Sequence, residues 1–216
     1  MTLWLLSTAS LLALAIAVPV AIRCARHRGG FFDHITRLVG TAGLAMPAFW
    51  IGVMLLLGIA LPTGWFPTGG FGDTFPDKLR SIVLPAVTLA IGMAPVLIRS
   101  LRQAISEVLS SEQVATARSL GLSERRVLSK FVLRNASVSS VTILALEIGY
   151  LLFGAVVVET TFALPGLGQG LVRAAKGRDL TAVQGYTLVF AVCVVATFLL
   201  ADIVTAMLDP RVKITS

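Results

Sequence analysis

The sequence predicts an all-α polytopic membrane protein. Three observations carry that prediction. Of 216 residues, 56% are hydrophobic and only 13% are charged, and the mean hydropathy is +0.88. Five apolar runs reach roughly the 20 residues that a helix needs to cross a hydrocarbon core. The Lys and Arg residues alternate in abundance between successive loops, as they do when a chain weaves through a bilayer.

The first run is Leu3 to Ile22, "LWLLSTASLLALAIAVPVAI". The second is about Ile35 to Leu61, interrupted by Pro47, and the third about Ile82 to Ile98, with Pro85 and Pro95 inside it. The fourth is about Val138 to Val158 and the fifth about Thr181 to Leu208. Prolines at membrane depth require neighbours that satisfy the carbonyls they free, so the runs are expected to pack as a bundle. Gly40, Ala42, Gly43 and Ala45 on the second run are small enough to let helices approach closely.

The loops set the orientation. Arg23, Arg26, Arg28 and Arg37 flank the first connection, against Asp33 alone. Arg99, Arg102, Arg118, Arg125, Arg126, Lys130 and Arg134 fall between runs three and four, and Arg211 and Lys213 lie in the tail. Thirteen of eighteen cations thus share one side, expected to be cytoplasmic, with Met1 outside and the C-terminus inside. This distribution explains the net charge of +7 without nucleic acid as a partner. No basic residue precedes the first run, which argues against a signal peptide and for a missing preceding helix.

Residues 102–134 form a long basic loop, a length that usually carries function. Ala104 to Leu120 reads as a helix with Ile105, Val108, Leu109, Val114, Ala117 and Leu120 as its apolar members. Gly121 then turns the chain through positive φ. Ser123 is a candidate N-cap, Glu124 suits the first turn of a second helix, and Leu122 and Val127 stand at hydrophobic-staple positions. Val127, Leu128, Phe131 and Val132 make an apolar stripe among Arg125, Arg126, Lys130 and Arg134. Periodicity alone leaves two readings open: a helix lying on anionic headgroups, or a short helix fitting a groove on a cytoplasmic protein.

Other features carry less. Cys24 and Cys193 do not suggest a disulfide or a metal site, and neither do His27 and His34. Gly166-Leu-Gly168-Gln-Gly170 lacks the spacing and preceding strand of a phosphate loop. With Pro165 it reads as an irregular or re-entrant stretch in an extracytoplasmic loop over 159–180, whose charges include Glu159. Glu147 and Asp202 lie within apolar runs. Glu147 either faces a translocation path or makes an interhelical contact, and Asp202 sits nearer the cytoplasmic end.

"TARSLGLSERRVLSKFVLRNA", residues 116–136, resembles the cytoplasmic loop of ABC transporter permeases of the dipeptide/oligopeptide, binding-protein-dependent importer family. Aligned on Gly121, the family's Glu-Ala-Ala falls on Ala115, Thr116 and Ala117, of which only the second alanine matches. "GAVVVETTFALPGLGQGLVRAAKGRDLTAVQG" (154–185), "LLADIVTAMLDPRVKI" (199–214), "MPAFWIGVMLLL" and "LPAVTLAIGMAPVLIRSLR" resemble its other segments in order. The likeness covers essentially the whole chain but begins after the family's first helix, in keeping with the expected missing helix.

The resemblance implies one transmembrane permease domain over 1–216 in the cell membrane, doing no covalent chemistry itself. It implies a second permease subunit, two ABC ATPase subunits that carry ATP, an extracytoplasmic substrate-binding protein, and peptides or related solutes as cargo. It also implies that Ala117 to Ser129 is a coupling helix, with Ala117, Arg118, Gly121, Leu122, Ser123, Glu124, Arg125 and Arg126 at the ATPase. The rivals are an ATPase-independent transporter or channel, a membrane scaffold, and an inactive truncated permease. Paired broken helices in inverted halves, the mark of many secondary transporters, are not evident.

A thiol placed by Ser123→Cys is expected to react with impermeant maleimide only in inside-out vesicles. Reaction in right-side-out vesicles overturns the orientation.

Overall fold

A 35-residue helix, Phe75–Leu109, is the axis around which the chain is arranged. The computed structural model describes residues 1–208, with side chains for all of these except 135, 137–140 and 208. In chain order α1 is Thr2–Arg26, α2 is Phe31–Ala45, and α3 is Ala48–Thr63, with a π turn over Leu56–Ala60. The axial helix Phe75–Leu109 is α4, and Glu112–Ser119 is α5. Helix α6 starts as Glu124–Arg126, passes through a π turn at Val127–Val132 and continues as Leu133–Thr161. Then come α7, Leu167–Lys176, and α8, Leu180–Leu208. No strand occurs among the described residues. The Leu-Asp-Pro-Arg at the chain's end lies largely outside them.

Helix α4 begins where Thr74 takes the N-cap position, with Pro76 in the first turn and Asp77 hydrogen-bonded to the Thr74 side chain. That is sound N-terminal chemistry, because the early N–H groups lack helical acceptors and proline gives up one it does not need. The helix then runs through Pro85 and Pro95 without a break. Its most apolar stretch is 61% buried, whereas that of α8 is 6% buried, so α4 is the core and α8 the periphery.

Helices α1 and α4 run parallel. Trp4 meets Phe71 and Phe75 at one end, with ring centroids 5.9 and 6.4 Å away. Along their length α1 buries Ala9, Ala13, Ala17 and Ala21 completely, and α4 buries Ala86, Ala90 and Ala94. Residues four apart share a helix face, and small side chains bring backbones together where lipid supplies no hydrophobic drive between helices. The closest small-residue packing therefore lies on α1 and α4.

On α2 only Gly40 and Gly43 serve that purpose. A Cβ at Gly40 would stand 3.1 Å from Pro95, and one at Gly43 would be 3.4 Å from the Ile91 carbonyl, the group that Pro95 leaves without a helical donor. Ala42 and Ala45 face outward, contrary to the expectation that they pack.

The second run is not one straight span. Helices α2 and α3 meet at 100° across Met46 and Pro47. Proline disfavours helix at the residue before it, and Met46 is extended, with ψ 129°. The pair still carries the chain from one end of the bundle to the other. Gly29 at its start donates to Asp33, and Gly70 at its far end donates to the Phe162 carbonyl at 2.9 Å. Four continuous helices are long and apolar enough to cross a membrane, and the bent pair makes a fifth span.

Most cations gather at the end where α1 finishes. There Asp33, 1% exposed, pairs with Arg102 of α4 at 2.7 and 2.8 Å and accepts from the Gly29 N–H. Arg37 stands 3.8 Å away. This pair ties α2 to α4 at the basic end. Removing one member of a buried pair strands the other, so Asp33→Ala is expected to cost about 3 kcal/mol. Glu124→Ala, in an exposed pair, is expected to leave the melting temperature unchanged. Thermal unfolding of the detergent-solubilised chain followed by circular dichroism checks both.

Candidate functional site

The basic end carries a projection built from the short helix α5 and the start of α6. Helix α4 ends at Leu109, and the chain turns at Ser110 and Ser111 before α5 begins. The helix expected over 104–120 is thus two pieces. Its first part is the tail of the long axial helix, because the apolar period of α4 continues through Leu101 and Ile105 without interruption. Ser110 and Ser111 instead turn their hydroxyls back to carbonyls of the last turn, ending it.

Helix α5 closes with a Schellman motif. The Gly121 N–H donates to the Arg118 carbonyl at 2.9 Å, and the Leu122 N–H to Ala117 at 3.2 Å. Gly121 has φ +75°, as that motif requires. No other atom lies near a Cβ added there, so only the backbone angle calls for glycine. Ser123 follows at the N-cap of α6. Its carbonyl accepts from Arg126 and Val127, but its hydroxyl makes no cap, so the expected side-chain cap is not formed.

The turn sorts the candidate residues by exposure. Ala117 is buried, 3% exposed, and Leu122 is half-buried, so both face the bundle. Val127 and Val132 are fully buried, and Leu128 and Phe131 pack on the core, so the apolar stripe points inward. Arg118 and Glu124 grip each other across the turn at 2.7 and 3.2 Å. The Arg118 hydrogen bond holds the Glu124 carboxyl below the ordinary carboxylate range. Ser123, Arg125 and Arg126 are exposed.

Sequence reasoning missed the role of Leu120, counted with the apolar members of a helix. It is 76% exposed at the tip of the projection, because it occupies the C-cap and leaves the helical face. The signal available was its position directly before Gly121.

The opposite end holds a second constellation, centred on Glu159, which the sequence reading counted only as a loop charge. Helix α6 continues to Thr161, so the expected loop over 159–180 is mostly helix. Glu159 is completely buried. Its carboxylate accepts from the Thr2 hydroxyl at 2.6 Å and from the N–H groups of Gly168 and Gln169 at 2.8 and 3.2 Å. The Thr2 oxygen in turn accepts from the Leu167 N–H at 2.8 Å. A helix N-terminus attracts anions through its free N–H groups and its dipole, and here the anion is the chain's own side chain.

The glycines of Gly166-Leu-Gly168-Gln-Gly170 now have a reason. An added Cβ at Gly166 would lie 2.1 Å from the Glu159 carboxylate, and one at Gly168 would lie 2.4 Å from the Val156 backbone. The cradle does hold an anion, but an internal one.

Glu147 is half-buried on α6. It does not line the apolar cavity of about 520 Å³ between α1, α6 and α8, whose walls include Leu6, Ser10, Leu144, Ile148 and Leu200. Asp202 is exposed on α8. Among the described residues no three His, Cys, Asp or Glu side chains cluster as metal ligands.

Five apolar crossings, a basic projection at one end and a carboxylate-sealed cap at the other describe a multi-pass membrane transport component. The chain belongs to the family of binding-protein-dependent transport system inner membrane components, which it matches over residues 17–214. It is 37% identical over 217 residues to the oligopeptide transport system permease protein AppB of Bacillus subtilis, covering 98% of this chain and 69% of that protein. It is 32% identical to the dipeptide transport system permease protein DppB of Escherichia coli, covering 95% and 68%. A putative peptide transport system permease protein of Brucella suis is 40% identical over 210 residues. The fold matches a chain of the inward-facing MetNI methionine ABC transporter, with a TM-score of 0.79 at 16% identity over 96% of this chain and 93% of that one.

The two glycine sites should differ sharply in tolerance. Gly121→Ala is expected to cost about 1 kcal/mol, the ordinary penalty for a left-handed non-glycine residue. Gly168→Ala collides with backbone and is expected to cost more than about 3 kcal/mol. Melting temperatures of the two variants test the order.

Proposed function

We propose that the chain is one permease half of an ATP-driven importer whose cargo is peptides or related small solutes. The basic end faces the cytoplasm, and the C-terminus lies on that side. The observation that carries this reading is the Schellman turn that leaves Leu120 exposed at the tip of a projection on which Arg125 and Arg126 are exposed as well. An exposed leucine on a basic projection suits a groove on a soluble partner, with the leucine filling a pocket and the arginines at the rim. The partner in this reading is a pair of ABC ATPase subunits that bind and hydrolyse ATP, and membership of the family of binding-protein-dependent transport components supports it.

In this scheme α5 and the turn into α6, within the stretch 102–134 that the sequence marked as a loop, are the coupling element. Leu120, Ser123, Arg125 and Arg126 make the contact. Ala117, Leu122 and the Arg118–Glu124 pair hold the turn in shape beneath it. The π turn at Val127–Val132 joins the projection to α6, and such turns recur at functional sites in helices. Force on the projection therefore reaches a long helix directly. The sealed cap around Glu159 faces outward, where an extracytoplasmic substrate-binding protein delivers the cargo. A second permease subunit completes the path, meeting the bare flank of α8, with lipid on the remainder. Glu147 is the candidate polar group on the path.

Co-expression with cognate ATPase subunits and co-purification tests this. Leu120→Asp, and the pair Arg125→Glu with Arg126→Glu, are each expected to weaken ATPase retention at least about tenfold, as loss of a central contact does. Failure of the unaltered chain to retain any ATPase subunit refutes the proposal.

A further inference from the structure

The basic end contains a second feature that ATPase docking does not use. Between α2 and α4 lies a crevice of about 40 Å³ whose walls include Arg37, Arg99, Arg102, Asp33, Gly40 and Pro95. Its charge is unbalanced. Asp33 is the single carboxylate among the lining residues, and Arg102 holds both of its oxygens, at 2.7 and 2.8 Å. Arg37 touches it only at 3.8 Å and otherwise meets the His34 ring at 2.9 Å. Arg99 pairs with no carboxylate among the described residues. Three guanidinium groups against one carboxylate leave two positive charges in one cleft (three minus one).

The position of the cleft narrows its ligand. Pro95 and Ile98 on its wall belong to the apolar stretch of α4, whereas Arg99 and Arg102 begin the polar one. The crevice therefore sits where hydrocarbon meets headgroup. The exposed apolar residues of α2, Phe31, Ile35, Leu38 and Val39, lie on the opposite face of that helix from Asp33, Thr36, Arg37 and Gly40, so they face the surroundings and not the crevice. The crevice is small and open on one side, so a compact anionic group at its mouth meets the guanidinium groups.

We infer that this crevice binds the phosphate of an anionic phospholipid. Guanidinium groups recognise phosphate through paired, charge-assisted hydrogen bonds, and basic clefts between membrane helices are suited to acidic headgroups. Asp33 holds Arg102 in place from behind, so the lipid meets preset charge. A lipid seated here bridges α2 and α4 at the end opposite the Glu159 cap, and it does so independently of any ATPase.

Native mass spectrometry of the full chain in detergent, with phosphatidylglycerol or phosphatidylcholine added, tests the assignment. The unaltered chain is expected to retain phosphatidylglycerol at least tenfold over phosphatidylcholine. Arg37→Gln and Arg99→Gln should each reduce that preference about fivefold, with the pair Arg173→Gln and Arg178→Gln, at the other end, without effect. Both arginine variants keep the Asp33–Arg102 pair, and unchanged circular dichroism spectra verify that they fold. Arg37→Lys with Arg99→Lys should restore part of the retention, since charge returns without the fork. Equal retention of the two lipids, or a preference untouched by the glutamine variants, overturns the inference. Thermal stabilisation by inorganic phosphate without any lipid preference assigns the cleft to a soluble anion and overturns the membrane part.

Discussion

Hydrocarbon offers no hydrogen-bond partners, and the architecture follows from how the chain meets that constraint wherever it stops being a regular helix. At Pro95 the freed Ile91 carbonyl lies against Gly43 of the neighbouring helix. At Pro47 the chain turns through 100°, and α3 restarts at once with Ile51 donating to the Pro47 carbonyl at 3.1 Å. At the end opposite the basic one the first N–H groups of α7 would be orphaned, and Glu159 and Thr2 take them up. That last seal joins the beginning of the chain to residues more than 150 positions later, so it closes the bundle as well as the helix end.

The two ends solve the same local problem, ending one helix and starting another, by opposite means. The Glu159 cap is buried and tight. Its glycines are there because nothing larger fits, and its charge is compensated inside the protein. The Gly121 turn is open and exposed. Its glycine is there for its backbone angle alone, and its ion pair, Arg118 with Glu124, faces solvent, where such pairs contribute little. The bundle is thus sealed at one end and projecting at the other.

The distribution of burial supports the same division. Helix α4 is enclosed by α1, α2 and α6, whereas α8 is largely bare. A helix so exposed in a single chain is covered in the membrane by lipid or by another subunit, and its apolar surface permits either. The alanine rows on α1 and α4 let their backbones approach over several helical turns.

Much of this architecture is legible in the amino-acid sequence. The five runs, the all-helical class and the glycine turn at 121 follow from rules that act within a few residues: run length, helix period and the φ that glycine alone tolerates. The stripe of Val127, Leu128, Phe131 and Val132 is readable from spacing, but its packing on the bundle's own core is not, because the spacing left headgroups or a partner's groove as its cover. The true end of α4 is not, because the apolar period runs on into the loop and only the serine turn at 110–111 stops it. The exposure of Leu120 is not, because periodicity assigns it to the buried face and the C-cap geometry moves it off.

The sequence by itself thus determined what must be in the membrane, how many times the chain crosses and where it must turn, since these depend on local composition and backbone preference. Only the tertiary structure decided that Glu159 is a buried cap, that Asp33 is locked to Arg102 and that the second crossing is bent. Each of those depends on which distant group stands opposite, and a one-dimensional pattern carries no record of that. A lone acid in a polar stretch looks the same whether it meets water or the free end of a helix. The difference is made by packing, which brings Thr2 and Gly168 to the same carboxylate.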